Sequence, residues 1–206
     1  DFAKAEAAFN EALRRNPNLI VCYFFLAEIA LRQNSLDGAI ARYKEAIEVN
    51  PRLVAPYMIL GMIYEQQGKT ALAIDHYKKC LQIDPKFAPA ANNLAWILAE
   101  EGGDLEEALR LARIAYEAMP DQPNINDTFG WIYARKGFHE LAIERFLEAL
   151  EKLPENPTIH YHLGYAYAKL GKKKEAKAAL ERALRLSGTF KDADAARHLL
   201  EELEGK

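Results

Sequence analysis

Apolar residues along this 206-residue chain recur with helical spacing, and the pattern itself recurs. Tyr23, Leu26, Ala27 and Ala30 fall on one face of a helix. The same register returns at Tyr57, Leu60, Gly61, Tyr64, at Ala91, Leu94, Ala95, Leu98, at Asn126, Phe129, Gly130, Tyr133 and at His160, Leu163, Gly164, Tyr167. A residue that tolerates left-handed backbone follows each stretch: Asn34, Gly68, Gly102, Gly137 and Gly171. A second apolar face then reads Ala39, Tyr43, Ala46, with counterparts Ala73, Tyr77, Cys80, then Ala108, Ala112, Ala115, then Ala142, Phe146, Ala149, and Ala176, Leu180, Ala183. Each period therefore predicts two antiparallel helices of about 13 residues.

The nine prolines agree with this pattern. Pro17, Pro51, Pro85, Pro120 and Pro154 lie 34, 34, 35 and 34 residues apart, and Pro56, Pro89, Pro123 and Pro157 each follow a ladder proline by three to five residues. A ladder proline ends the second helix, because inside it the ring would clash with the preceding turn. A period of this size is the signature of stacked repeats. The 34 alanines supply the small side of each pair, against which Tyr, Phe or Leu can interdigitate.

On these residues the sequence resembles the tetratricopeptide repeat family. Tyr57, Leu60, Gly61, Tyr64, Ala73, Tyr77, Cys80 and Pro85 match nearly every position of its pattern. The resemblance extends over essentially the whole chain and implies an all-α, right-handed superhelical solenoid of about 12 helices. Repeats are expected at 20–53, 54–87, 88–122, 123–156 and 157–189, the third lengthened by one residue at Gly102-Gly103. Residues 1–19 read as the second helix of a repeat whose first helix is missing. With no initiating Met, the expectation is a bacterial-type piece excised from a longer array. At 190–206 an amphipathic capping helix is expected, with Leu199, Leu200 and Leu203 covering the last repeat as the natural end of the array.

Charge and chemistry narrow the function. A net charge of −3 makes no electrostatic case for nucleic acid, and no apolar run reaches the length of a membrane span. No phosphate-binding glycine loop, nucleophile elbow or H-E-x-x-H spacing occurs. Of the five histidines, only His160 and His162 are close, and at i, i+2 they point to different faces. Cys80 takes a small core position and reads as an inert buried thiol, and Cys22 lies on another repeat. Glu106-Glu107, Glu201-Glu202 and Lys172-Lys173-Lys174 read as solvated charge, and the Asn126-Asp127-Thr128 sequon as a chance pattern. No cofactor, metal or catalytic residue is expected, so the chain reads as a non-enzyme.

In the family this sequence resembles, the first helix of each pair lines a concave groove, with its fifth and ninth positions projecting inward. Here these are Phe24 and Glu28, Met58 and Met62, Asn92 and Trp96, Asp127 and Trp131, and Tyr161 and Tyr165. Aromatic anchors among a few hydrogen-bonding groups suit a peptide groove. The Lys, Arg and Asn of chaperone-tail clamps are not at these positions. Neither is the asparagine ladder of sugar-transferase repeats, since the sixth positions read Phe25, Ile59, Asn93, Thr128 and His162.

The expected function is a protein-binding scaffold holding a peptide or protein segment. Self-association through the exposed N-terminal half-repeat is a further expectation. Asn92-Asn93-Leu94-Ala95-Trp96 and Asp127-Thr128-Phe129-Gly130-Trp131 resemble segments of bacterial repeat proteins tied to exopolysaccharide export or envelope assembly. The alternative is therefore a periplasmic envelope or polysaccharide-secretion component whose groove contacts sugar. The compartment, periplasm or cytoplasm of a bacterium, stays open.

Overall fold

The computed structural model describes residues 1–205. Its described residues form helices without strands: α1 (Phe2–Arg15), α2 (Ile20–Arg32), α3 (Leu36–Val49), α4 (Val54–Gln66), α5 (Thr70–Ile83), α6 (Ala88–Glu100), α7 (Leu105–Ala118), α8 (Pro123–Arg135), α9 (His139–Lys152), α10 (Pro157–Lys169), α11 (Lys173–Leu186) and α12 (Ala193–Glu204). First helices of 13 residues alternate with second helices of 14 from α2 to α11. The chain divides into two compact units, Asp1–Pro85 and Lys86 onward.

The helix boundaries follow from the prolines and turn residues. The residue before each ladder proline is extended: Asn16, Asn50, Asp84, Met119 and Leu153 have φ between −125 and −146°. Proline forces this by excluding the α region from its predecessor. Pro123 and Pro157 open α8 and α10, where an absent N–H costs nothing. Asn34, Gly68, Gly102, Gly137 and Gly171 all adopt positive φ, from 59 to 85°. The inserted residue of the third repeat is thus Gly103, just past the left-handed turn.

Within each pair, small residues admit large ones. A β-carbon added at Gly61 would stand 2.5 Å from the Tyr77 ring, at Gly130 2.7 Å from Phe146, and at Gly164 2.8 Å from Leu180. Tyr77, Phe146 and Leu180 are fully buried, each worth about 1.5–3 kcal/mol in transfer free energy. In the third pair the corresponding positions are both alanine, Ala95 and Ala112, and both are buried.

A further tie recurs at the fourth position of the first helix. The Tyr23 hydroxyl, Asn126 Nδ2 and His160 Nε2 donate to the carbonyls of Pro17, Pro120 and Pro154, at 3.1, 2.8 and 2.9 Å. Each bond spans six residues and locks the inter-repeat turn to the helix that follows it. His160 is therefore occupied in structure.

In the first unit, α2 pairs with α3 and α4 with α5, while α1 packs on α2 with no buried residue of its own. Phe9 of α1 stacks on the exposed Phe25, centroids 5.0 Å apart. Cys22 and Cys80 are both buried free thiols. Burial pushes the Cys80 thiol up to about 11, and its Sγ donates weakly to the Val54 carbonyl.

In the second unit, α6, α8 and α10 are the first helices and α12 closes the end against α11 and α10. The capping helix differs from its expected bounds. It begins at Ala193 rather than 190. Ala193 and Ala196 are buried, while Leu199, Leu200 and Leu203 are half-buried.

Candidate functional site

The second unit gathers six of the ten stripe residues. Helical spacing sets Asn92 below Trp96 on α6, Asp127 below Trp131 on α8 and Tyr161 below Tyr165 on α10, one turn apart in each case. The helices stand side by side, so the side chains meet in rows. The Trp131 ring packs at 6.4 Å from Tyr161 and edge-on at 5.2 Å from Tyr165.

The centre of the cluster is His162, which is 1% exposed. Its Nδ1–H donates to Asp127 Oδ1 at 2.7 Å. Trp131 stacks on its ring at 4.3 Å, and Trp96 lies 5.9 Å away. Sequence position marks His162 only as a sixth position and as one of two neighbouring histidines on different helix faces. The structure makes it the pivot that joins the carboxylate of α8 to both tryptophans.

By helix position Trp131 and Tyr161 project into the groove. They are nevertheless only 6% and 9% exposed. Neighbouring first helices approach closely enough to bury residues facing the seam, so these two serve as the floor. Burial, with Asp192 nearby, pushes the Tyr161 phenol up to about 12. Trp96, Asn92, Asp127 and Tyr165 remain partly accessible. Asn92 Oδ1 is buried without a hydrogen-bond partner.

Three further residues join this site. Trp131 Nε1–H donates to Glu100 Oε1 at 2.9 Å. The other Glu100 oxygen accepts from Lys191 Nζ at 2.7 Å, across 91 residues of sequence. Lys191 also sits 5.5 Å from the Trp96 ring centre, and Phe190 lies 6.2 Å from Tyr161. Burial alone would raise the Glu100 carboxyl, but the Lys191 and Trp131 hydrogen bonds outweigh it and hold it below the usual carboxylate range. Burial likewise opposes the Lys191 charge, and Glu100 outweighs it to raise the ammonium. Glu100 lies outside the stripe of fifth and ninth positions, although it continues the Asn92, Trp96 spacing by one more turn. Phe190 and Lys191 had no such signal, because no period links them to α6.

The first unit holds the other four stripe residues. Phe24 packs edge-on against Tyr43 at 5.5 Å, and Glu28 pairs with Arg32 on its own helix at 2.7 Å. Met58 is half-buried, and Met62 is 51% exposed.

Among the described residues, no group of three or more His, Cys, Asp or Glu side chains could hold a metal ion. No described helix is long and apolar enough to cross a membrane.

Family models described as "Tetratricopeptide repeat" or "TPR repeat" match residues 1–47, 27–68, 54–87, 76–110, 130–171 and 157–190. The chain belongs to the tetratricopeptide repeat family. Its architecture is that family's all-α solenoid of helix pairs, and the family's members are generally non-enzymatic protein–protein interaction scaffolds. Solved structures share the fold. YrrB, a TPR protein described as having an unusual peptide-binding site, is 22% identical with a TM-score of 0.74, over 93% of this chain and 98% of that one. A tetratricopeptide repeat protein from Parabacteroides merdae is 17% identical with a TM-score of 0.73, over 100% of this chain and 81% of that one. MamA is 23% identical with a TM-score of 0.68, over 85% and 94%. No curated protein matches this tetratricopeptide repeat chain in sequence.

Proposed function

We propose that this chain is a non-enzymatic scaffold that holds a peptide segment of another protein against the first-helix face of its repeats. The observation that carries this reading is the row on α6, α8 and α10. There Trp96, Tyr165 and Asp127 stay partly accessible above a buried floor of Trp131, Tyr161 and His162. A rigid aromatic floor with oriented carboxylates binds without first having to be ordered, which limits the entropy lost on association. In the first unit, taken by itself, the exposed Met62 offers an adaptable apolar contact on its own first helix. The description of YrrB as peptide-binding supports the same mode for this fold.

The test is a displayed library of random peptides selected on the intact chain and rechecked on Trp96→Ala and Met62→Ser. Selected peptides should lose about tenfold or more in affinity, about 1.4 kcal/mol, on one of these variants. Selection of no peptide, or of peptides indifferent to both variants, overturns the reading. Oligosaccharide titration against tryptophan fluorescence tests the envelope alternative. A saturable response to sugar without one to peptide would favour that alternative.

A further inference from the structure

The connection between α11 and α12 departs from the repeat frame in a way that bears on this site. Every first helix from α2 to α10 starts three residues after its ladder proline. Gly188 takes the ladder position before α12, yet α12 starts five residues later, at Ala193. The residues left unwound place Phe190 and Lys191 on the first-helix face of the second unit. Phe190 meets Tyr161 of α10 at 6.2 Å. Lys191 reaches α6, bonding Glu100 at 2.7 Å and covering the Trp96 ring at 5.5 Å.

The groups beneath Lys191, the Glu100 carboxylate and the Trp96 ring, are arranged to receive a cation. One Glu100 oxygen is fixed by the Trp131 indole N–H, which aims the other at the ammonium. A charge-assisted hydrogen bond and a cation–π contact with tryptophan are then both available to one lysine. The lysine that covers these groups faces solvent. The Lys191 side chain is 65% exposed, whereas Glu100 beneath it is 26% exposed.

We propose that Phe190-Lys191 is an internal occupant of this site, and that its external ligand is a peptide presenting an aromatic residue followed by lysine, which displaces it. This rests on the peptide-binding reading above and adds to it the ligand's chemistry and a built-in competitor. The strap lowers apparent affinity by the fraction of time the site is open. Its removal therefore strengthens binding of the external peptide.

The probe is an acetylated, amidated heptapeptide with the sequence Ser-Gly-Thr-Phe-Lys-Asp-Ala, copied from residues 187–193, and the same peptide with alanine for its lysine. Both tryptophans of the chain, Trp96 and Trp131, belong to this cluster, so intrinsic fluorescence reports on the site itself. Phe190→Ala/Lys191→Ala should bind the lysine peptide about tenfold or more tighter than the unaltered chain does. It should also prefer that peptide to the alanine version by a similar factor. If circular dichroism shows the double variant to be unfolded, Lys191→Gln replaces it. That side chain is exposed and its bulk is kept, and acrylamide should quench the tryptophans more strongly in this variant. Equal affinity in variant and unaltered chain, or no binding by a folded variant, overturns the proposal. If library peptides still bind through Trp96 in that case, only the strap and its ligand chemistry fall. If no library peptide binds at all, the peptide-binding reading falls with them.

Discussion

Trp131 lies over the imidazole of His162 with ring centroids 4.3 Å apart and planes 24° from parallel. The stack ties α8 to α10, and Asp127 ties the same imidazole back to α8. Aromatic contact and charged hydrogen bond thus share one buried ring. The face proposed for recognition and the packing between these repeats are therefore one structure.

The two tryptophans should separate on substitution, although they occupy the same position of successive repeats. Trp131→Ala removes a side chain that is 6% exposed and should cost about 3–5 kcal/mol of stability. Trp96→Ala removes a half-buried ring and should cost clearly less while weakening peptide binding more. Urea unfolding of both variants beside peptide titration checks this. A larger stability loss for Trp96→Ala would contradict the burial.

Removing one partner of the His162–Asp127 pair should be worse than its size suggests. Asp127→Ala leaves the His162 Nδ1–H without an acceptor at a 1% exposed site, a cost of about 1–3 kcal/mol. In Asp127→Ala/His162→Leu no donor is left unpaired, so the double variant should lose less than the two single losses added together. A double-mutant cycle by urea unfolding measures the difference. Simple additivity would mean that the two groups do not act on each other.

Gly61 should not tolerate a methyl group. A β-carbon there would stand 2.5 Å from Tyr77 Cε1, so Gly61→Ala should destabilise by about 1–3 kcal/mol through overpacking. Tyr77→Leu in the same chain should return part of the loss, because a smaller partner makes room. Thermal melting of the two variants decides it.

Acid should loosen the strap. Burial opposes ionisation of Glu100, but Lys191 and Trp131 hold its folded-state value below the ordinary one. Folding thus favours the carboxylate. Its contribution is complete above the ordinary glutamate value of about 4.3 and fades as the pH falls through the depressed folded value. Lys191→Ala should therefore melt lower than the unaltered chain near neutral pH, and the gap should close as the carboxyl is protonated. A gap that is constant with pH would assign Lys191 a role other than this contact.

The Cys80 thiol should be inert while the chain is folded. Burial holds it near 11, so almost none is thiolate at neutral pH, and the thiolate is the reactive form. Alkylation followed by mass spectrometry should label Cys80 only in step with urea unfolding. Labelling of the native chain at the rate of a small thiol would contradict its burial.

Period and proline placement alone determined the repeat architecture. Each residue preceding a ladder proline is driven out of the helix by local sterics, and each left-handed turn is set by one Asn or Gly. Such constraints act over a few residues and are written in the sequence directly. The rows from Asn92 to Tyr165 were legible for the same reason, since positions one helical turn apart share a face.

Accessibility along those rows was decided only by the tertiary structure. Trp96 and Trp131 have the same position in their repeats, and one is half-buried while the other is floor. Which of them is covered depends on what packs alongside, and that is not a local property. His162 becomes a pivot only because α8 brings Asp127 to it. Lys191 reaches Glu100 only because α12 starts late and leaves its connection free to cross the face. The contact across 91 residues follows no period, and the one across 35 joins successive repeats through a carboxylate and an imidazole that no local pattern pairs, so both enter only when the helices are stacked.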